Sequence, residues 1–117
     1  PHWKVNVRLP ESNRLYRTLY LRNQCLSTSA QSSICLHING RKYGHILNPL
    51  TGYPSTNKQL GVITDNCMTG DIISTGLFNN TIEEFNKTTD ELAKHYSIGG
   101  YLMDEFNRLT TKNLPAL

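Results

Sequence analysis

The feature that most limits the fold of this chain is a succession of short extended runs divided by tight turns. The sharpest turn is Asn39-Gly40, between the runs 32–38 and 41–47. Both of its residues tolerate positive φ, and the pair is typical of a β-hairpin. Over residues 3–9, apolar and polar side chains alternate, which predicts a strand with one buried face. Strands that follow one another across tight turns favour an antiparallel sheet. Further strands are predicted over 17–22, 25–29, 59–64 and 99–103.

Two helical patterns follow in the second half of the chain. The first covers residues 70–78 behind Thr69, a residue type that caps helix N-termini, and it ends at Asn79-Asn80. The second follows Thr81, with acidic residues in its first turn, where the helix dipole favours them. The expected buried positions are Ile72, Ile73, Gly76 and Leu77 in the first helix and Phe85, Leu92 and Ala93 in the second. The sequence therefore predicts an α+β fold, an antiparallel β-sheet with two packed helices, and a loose tail over 110–117.

Composition sets the size and class of the protein. The 117 residues suffice for one small domain, and a hydrophobic fraction of 38% is typical of a globular chain. The net charge is +3, and the densest basic stretch, 14–22, alternates with Leu and Tyr. That alternation favours a half-solvated strand over a nucleic-acid surface. No apolar run approaches the roughly 20 residues that a membrane-spanning helix needs, so no span is predicted.

The three cysteines, Cys25, Cys35 and Cys67, follow no CxxC spacing. An odd number argues against a complete disulfide framework. We therefore expect free or buried thiols.

A proline-stiffened loop after the hairpin is the first candidate site. Pro49 and Pro54 fix φ, and Gly52 allows a ligand to approach the backbone closely. His45 can act as a general acid or base or bind a ligand through a hydrogen bond, and Thr51 offers a hydroxyl. A partly buried histidine beside a rigid turn would show the same pattern, so both interpretations stay open.

The first predicted helix carries the second candidate site. Asp71 and Thr75 lie four residues apart and therefore share one helix face. A carboxylate and a hydroxyl suit Mg²⁺, which completes its shell with waters and phosphate oxygens. Alternatively, Asp71 only stabilises the start of the helix and Thr75 only packs. A third candidate is the hydroxyl-rich segment 27–30, with Thr28 and Ser29, which could line a ligand site or form a polar turn.

These segments resemble, in one colinear order, the C-terminal region of the ApbE family of flavin transferases. The matching segments read HWKVNVRLP at 2–10, STSA at 27–30, NGRKYGHILNPLTGYP at 39–54, GDIISTGLF at 70–78 and GGYLMD at 99–104. The resemblance covers roughly the whole chain. It departs from the family pattern at Ala30, where glycine is usual, and at Gly70 and Gly76, where alanine is usual.

The resemblance implies a T-fold-like α+β domain, with residues 1–117 as its C-terminal portion and the N-terminal half lying outside this sequence. It also implies FAD as substrate, Mg²⁺ as cofactor, and transfer of FMN to a threonine of an acceptor flavoprotein with release of AMP. Asp71 and Thr75 would bind the metal, and His45 would transfer a proton. The residues expected to contact FAD are Thr28, Ser29, His45, Pro49, Thr51 and Gly52.

The expected partners are FAD, the acceptor flavoprotein and the N-terminal half, with no nucleic acid. Two other functions fit the same residues. The chain could be a non-catalytic FAD-binding module of a larger redox protein, or an interaction domain that keeps the fold without the site. Retention of His45, Asp71 and Thr75 argues against the last of these.

Overall fold

A computed structural model describes residues 2–9, 12, 14–31 and 35–114. The elements within these ranges follow the order β1 (Trp3–Arg8), β2 (Leu15–Leu21), β3 (Cys25–Ala30), β4 (Cys35–Ile38), β5 (Arg41–Gly44), β6 (Gln59–Thr64), α1 (Cys67–Gly76), α2 (Ile82–Leu92), β7 (Ile98–Met103) and β8 (Leu109–Lys112). All strand pairs are antiparallel, so the predicted α+β fold is confirmed.

The centre of the molecule is a four-stranded sheet in the order β3-β6-β7-β8. Strand β6 is buried along five of its six residues, because elements cover both faces of the sheet. Strands β1 and β2 pair only with each other, as do β4 and β5, where the predicted Asn39-Gly40 turn joins the two arms.

Both helices lie on one face of this sheet. Helix α1 covers β3 and β6, and α2 covers β7 and β8. Phe78 and Phe85 are fully buried between helices and sheet, and burying an aromatic side chain of that size contributes about 2–3 kcal/mol. The core on this side consists of Leu60, Val62, Phe78, Phe85, Ile98 and Leu102.

The β1–β2 hairpin contributes to a second core that includes residues of β6 and β7. Its buried members are Val7, Leu19, Leu21, Ile63 and Tyr101. Gly61 is required here, because a Cβ at that position would lie 2.2 Å from Cε1 of Tyr101.

Burial raises the pKa of the Tyr101 hydroxyl above its ordinary value, although the hydrogen bond from Gln59 Nε2 at 2.7 Å opposes the shift.

Helix α1 begins earlier than the sequence predicts. The predicted N-cap, Thr69, is wrong, because the helix begins at Cys67 and the cap is Asn66. The side-chain oxygen of Asn66 accepts the Thr69 N–H at 3.2 Å. Thr69 is thus the residue whose amide is capped, not the capping residue.

The buried face of α1 also differs in part from the prediction. Ile73 and Leu77 pack against the core as predicted, but Ile72 and Gly76 are exposed. Gly70 and Ser74 are buried in their place. The reason is that α1 lies close to β3, where only small side chains fit.

Helix α2 agrees better with the sequence. Thr81 is the N-cap as predicted and forms a capping box with Glu84. Phe85 is buried and Leu92 packs against the core, as predicted. Ala93 is exposed, contrary to prediction, because the helix ends at Leu92.

The predicted loose tail is wrong for residues 110–112, which belong to β8 and pair with β7. Leu109 packs into the hairpin-side core, which gives this strand an apolar anchor. The predicted strand over 41–47 ends at Gly44. Residues 10–11, 13, 32–34 and 115–117 carry parts of the predicted turn, strand and tail and lie outside the described residues.

Cys25 and Cys67 form a disulfide, with their Cα atoms 5.3 Å apart. The prediction of free thiols is therefore wrong for this pair. Their sequence separation of 42 concealed the contact, because only the packing of α1 on β3 brings them together. None of the helices within the described ranges has the length and apolar character needed to cross a lipid bilayer.

Candidate functional site

The loop after the β4–β5 hairpin is closed by its own hydrogen bonds. Asn48 N–H donates to the Tyr53 carbonyl at 2.8 Å, and Gly52 N–H donates to the Asn48 carbonyl at 2.9 Å. The Asn48 side chain accepts the Leu50 N–H at 2.9 Å, and Thr51 Oγ1 accepts the Tyr53 N–H at 3.2 Å. Gly52 has a φ of +74°, the left-handed conformation that glycine adopts without strain. The prediction of a rigid loop is confirmed.

Gln31 fixes this loop to the end of β3, and sequence reasoning missed it. Its side chain is buried, its Oε1 accepts the Ile46 N–H at 3.1 Å, and its Nε2 donates to the Ser55 carbonyl. Gly44 leaves the space for this side chain, since a Cβ there would overlap it. Serines lie on both sides of Gln31 in the sequence, and nothing in that neighbourhood indicates that its side chain is buried and bonded to the loop.

Two asparagines join the same loop to the end of α1. Asn57 is buried, and its Nδ2 donates to the carbonyls of Phe78 at 2.6 Å and Asn80 at 2.7 Å. Asn79 Nδ2 donates to the Leu47 carbonyl at 3.2 Å. The sequence marked Asn79 and Asn80 as helix breakers, but it did not indicate that they bind the loop.

Asp71 and Thr75 lie on the exposed side of α1. They are one helical turn apart, so their side chains project from the same face. The backbone carbonyl of Asp71 accepts a hydrogen bond from Ser74 Oγ at 3.1 Å, but its carboxylate is exposed. The pair is therefore accessible to a cation on a helix whose far end is bonded to the loop.

The hydroxyl-rich segment lies on β3, beneath α1. Ser29 Oγ donates to Ser74 Oγ at 3.2 Å, so Ser29 faces the helix. Thr28, the next residue along a strand whose side chains alternate, is exposed and lies on the opposite face of the sheet. The strand predicted over 25–29 is confirmed, and the alternative of a polar turn at 27–30 is excluded, because these residues belong to a paired strand.

A cleft of about 470 Å³ lies between the loop, the α1–α2 junction and the β7–β8 turn. Of the predicted site residues, it includes Thr51 but none of Thr28, Ser29, His45, Asp71 and Thr75, among the residues that the structure describes. Its lining includes Tyr53, Asn57, Asn79, Asp104, Phe106 and Arg108.

Asp104 organises the β7–β8 side of this cleft. Its buried carboxylate accepts the N–H groups of Phe106 at 3.0 Å and Arg108 at 2.9 Å, and it pairs with Arg108 Nε at 2.7 Å. Burial raises the pKa of this carboxyl, but these hydrogen bonds and the positive charge outweigh burial, so the net pKa is lowered. Asp104 therefore stays ionised and holds the turn.

The structure thus joins the predicted site residues through a shared framework. His45, Pro49, Thr51 and Gly52 belong to one bonded loop, and Gln31 connects the base of that loop to the strand that carries Thr28 and Ser29. Helix α1 carries Asp71 and Thr75, contacts β3 through Ser74, and contacts the loop through the residues that follow its end.

Comparison with known proteins identifies the family of this chain. The sequence model of the ApbE family matches residues 1–98. The chain belongs to the ApbE family. It is 29% identical over 86 residues to an FAD:protein FMN transferase of Klebsiella pneumoniae (strain 342), covering 70% of this chain and 27% of that protein. An FAD:protein FMN transferase of Haemophilus influenzae is 28% identical over 81 residues, covering 65% of this chain and 23% of that protein.

Solved ApbE structures share the fold. The crystal structure of an ApbE protein from Thermotoga maritima superimposes with a TM-score of 0.84 at 22% identity, covering 96% of this chain and 36% of that one. The apo flavinyl transferase ApbE of Pseudomonas stutzeri gives a TM-score of 0.70 at 20% identity, covering 95% of this chain and 35% of that one. The chain spans about a quarter of the length of the curated relatives it matches.

Proposed function

We propose that this ApbE-family chain is the C-terminal portion of an FAD:protein FMN transferase. It serves the Mg²⁺-dependent transfer of FMN from FAD to a threonine of an acceptor flavoprotein, with release of AMP. The names of the two curated relatives support the reaction class. One structural observation carries the proposal: an exposed carboxylate and hydroxyl, one turn apart on α1, belong to a helix that is hydrogen-bonded at its end to a rigid loop.

Asp71 and Thr75 fit a magnesium ion as two ligands of an open shell. Among the described residues, no group of three or more His, Cys, Asp or Glu side chains could enclose a metal. Mg²⁺ does not require such a cage, because it keeps waters and takes oxygens from substrate phosphates. When bound, it would neutralise the diphosphate of FAD and stabilise the charge that develops there.

The loop offers a surface for the flavin nucleotide. Leu50 and Tyr53 are 93% and 70% exposed, although the backbone that carries them is closed by internal hydrogen bonds. Such apolar side chains on a fixed backbone can cover a flat ring without a cost in ordering the loop. Thr51 Oγ1 accepts the Tyr53 N–H, which leaves its hydroxyl hydrogen to donate to a ligand.

His45 is the residue to which we assign proton transfer. The acceptor threonine oxygen forms a bond to the FMN phosphorus, and the bond from that phosphorus to the AMP phosphate breaks. The threonine loses its hydroxyl proton in this step, and the exposed His45 imidazole accepts it. The remainder of the FAD pocket comes from the N-terminal half of the domain.

The test is an assay of AMP release from FAD by the full-length protein, in the presence of Mg²⁺ and a threonine-containing acceptor. Asp71→Asn keeps the size of the side chain and removes the charge, so we expect a loss of at least about 100-fold. Asp65→Asn is the matched control, since Asp65 is also exposed and precedes α1, and it should have little effect. Equal rates for the two variants would refute the metal assignment. Stable FAD binding without AMP release would favour the non-catalytic module.

A further inference from the structure

Helix α1 meets β3 through small polar groups. Gly70 is buried so close to the strand that a Cβ would lie 2.6 Å from Ser27 Oγ. Ser74 is buried and bonds to Ser29. This interface excludes water but buries few apolar atoms. Because hydrophobic stabilisation scales with the apolar area removed from water, such a contact holds the helix weakly.

The apolar anchors of α1 all lie toward its C-terminal end. Ile73, Leu77 and Phe78 contact the core. In contrast, Met68, the large apolar residue of the first turn, is 72% exposed, and Ile72 is 67% exposed. Non-covalent packing therefore fixes one end of the helix and leaves the other end to polar contacts.

The disulfide acts at the weakly packed end. Cys67 is the first residue of α1, and Cys25 is the first residue of β3. Cys67 is exposed, so a thiol in solution can reach this bond. Asp71 follows Cys67 by one helical turn, whereas Thr75 lies at the end that Ile73 and Leu77 already anchor, so the covalent link fixes the position of Asp71 relative to Thr75.

We propose that the Cys25–Cys67 disulfide is a redox-controlled clamp, which holds the first half of α1 on β3 and thereby positions Asp71 relative to Thr75. The cation part of this inference rests on the proposed function. A dithiol reductant opens the clamp: the S–S bond breaks, each cysteine sulfur gains a proton, and the reductant is oxidised to its own disulfide. The first turns of α1 then separate from β3 more often, and the two oxygen ligands lose their fixed position.

The test compares oxidised protein, protein reduced with dithiothreitol, and the Cys25→Ser/Cys67→Ser variant. Amide hydrogen exchange is measured over 67–73, with α2 as the internal reference. We expect exchange in α1 to accelerate at least about tenfold on reduction, while exchange in α2 stays unchanged. Mn²⁺, used as a spectroscopic substitute for Mg²⁺, should bind about tenfold more weakly to the reduced protein, as measured by electron paramagnetic resonance. Reoxidation should restore both values.

Cys35→Ser is the matched control, since it removes a thiol without removing the disulfide, and it should behave as the oxidised protein. Unchanged α1 exchange on reduction would overturn the inference. An equal acceleration of exchange in α2 would also overturn it, because the disulfide would then stabilise the whole fold and not α1 in particular. Equal Mn²⁺ affinity in both redox states would also overturn it and leave the proposed function intact. Faster α1 exchange without Mn²⁺ binding in either state would support the clamp and refute the metal assignment.

Discussion

The two helices lie on the same face of one sheet, yet they are held by different physical means. Helix α2 buries Phe85 completely, and its start is closed by a capping box. Helix α1 buries a glycine and a serine, and its start is tied by a covalent bond. The α2 side gains its stability mainly from apolar area, whereas the first turns of α1 rely on directional bonds between small groups.

This difference indicates what each side of the sheet is suited for. An apolar interface tolerates water poorly and leaves few polar groups for chemistry. The interface between α1 and β3 is rich in hydroxyl groups, and the exposed face of α1 carries a carboxylate and a further hydroxyl. The candidate site therefore occupies the side of the molecule where stability comes from individual bonds.

The largest expected effect on the free energy of unfolding comes from comparing one apolar residue of each helix. Phe85→Ala should lower the free energy of unfolding by about 4 kcal/mol, because it removes a fully buried ring and leaves a cavity. Met68→Ala, at an exposed position in α1, should change it by less than about 0.5 kcal/mol. Urea denaturation measures both values. Similar losses for the two variants would contradict the proposed division.

Two glycines of α1 provide a sharper comparison within one helix. Gly70→Ala should destabilise the protein by about 2 kcal/mol, because its methyl group would collide with Ser27 Oγ and Thr64 Oγ1. Gly76→Ala should stabilise it by about 1 kcal/mol, since a Cβ there meets no atom within 4 Å and alanine favours the helix. Thermal unfolding distinguishes the two signs. A stable Gly70→Ala variant would show that α1 does not lie as close to β3.

Acid titration tests the β7–β8 turn, which belongs to the α2 side. The lowered pKa of Asp104 means that its stabilising effect is present above the unfolded-state pKa and is lost as the pH falls through the folded-state value. Asp104→Asn should cost about 2 kcal/mol at neutral pH, since it weakens the bonds to Arg108 and Phe106. The variant should also lose less stability than the parent below about pH 4. If the free energies of unfolding of the parent and the variant fall in parallel as the pH is lowered, Asp104 does not have this role.

The smallest effect concerns the helix caps. Thr81→Ala should cost about 1 kcal/mol, as expected for the loss of an N-cap hydrogen bond. Asn66→Ala should cost less while the disulfide is closed, because Cys67 already fixes the adjacent turn. Reduction should bring the cost of Asn66→Ala close to that of Thr81→Ala. The free energies of unfolding of both variants, with and without reductant, provide the measurement.

The sequence predicted the elements whose signals are local. Alternation indicated β1, the Asn39-Gly40 pair indicated the hairpin turn, and Thr81 marked the start of α2. The start of α1 was misplaced because Asn66 and Thr69 are both good caps. The choice between them depends on how Gly70 packs on β3, which is a tertiary contact.

The sequence points to those residues of the candidate site that form contiguous motifs. The loop with His45, Thr51 and Gly52 and the helical pair Asp71 and Thr75 stand out as short patterns. The residues that connect the loop to the rest of the molecule do not stand out in this way. Gln31 and Asn57 hold the loop through bonds to groups more than ten residues away, and nothing in their sequence neighbours indicates those partners.

One consequence of the closed loop concerns which of its positions can change. The bonds that shape it come from backbone groups and from the side chains of Asn48 and Thr51. Leu50 and Tyr53 supply side chains that the loop itself does not need. Evolution can therefore exchange these two residues, and with them the ring system that the proposed flavin surface would accept, while the scaffold beneath them keeps its shape.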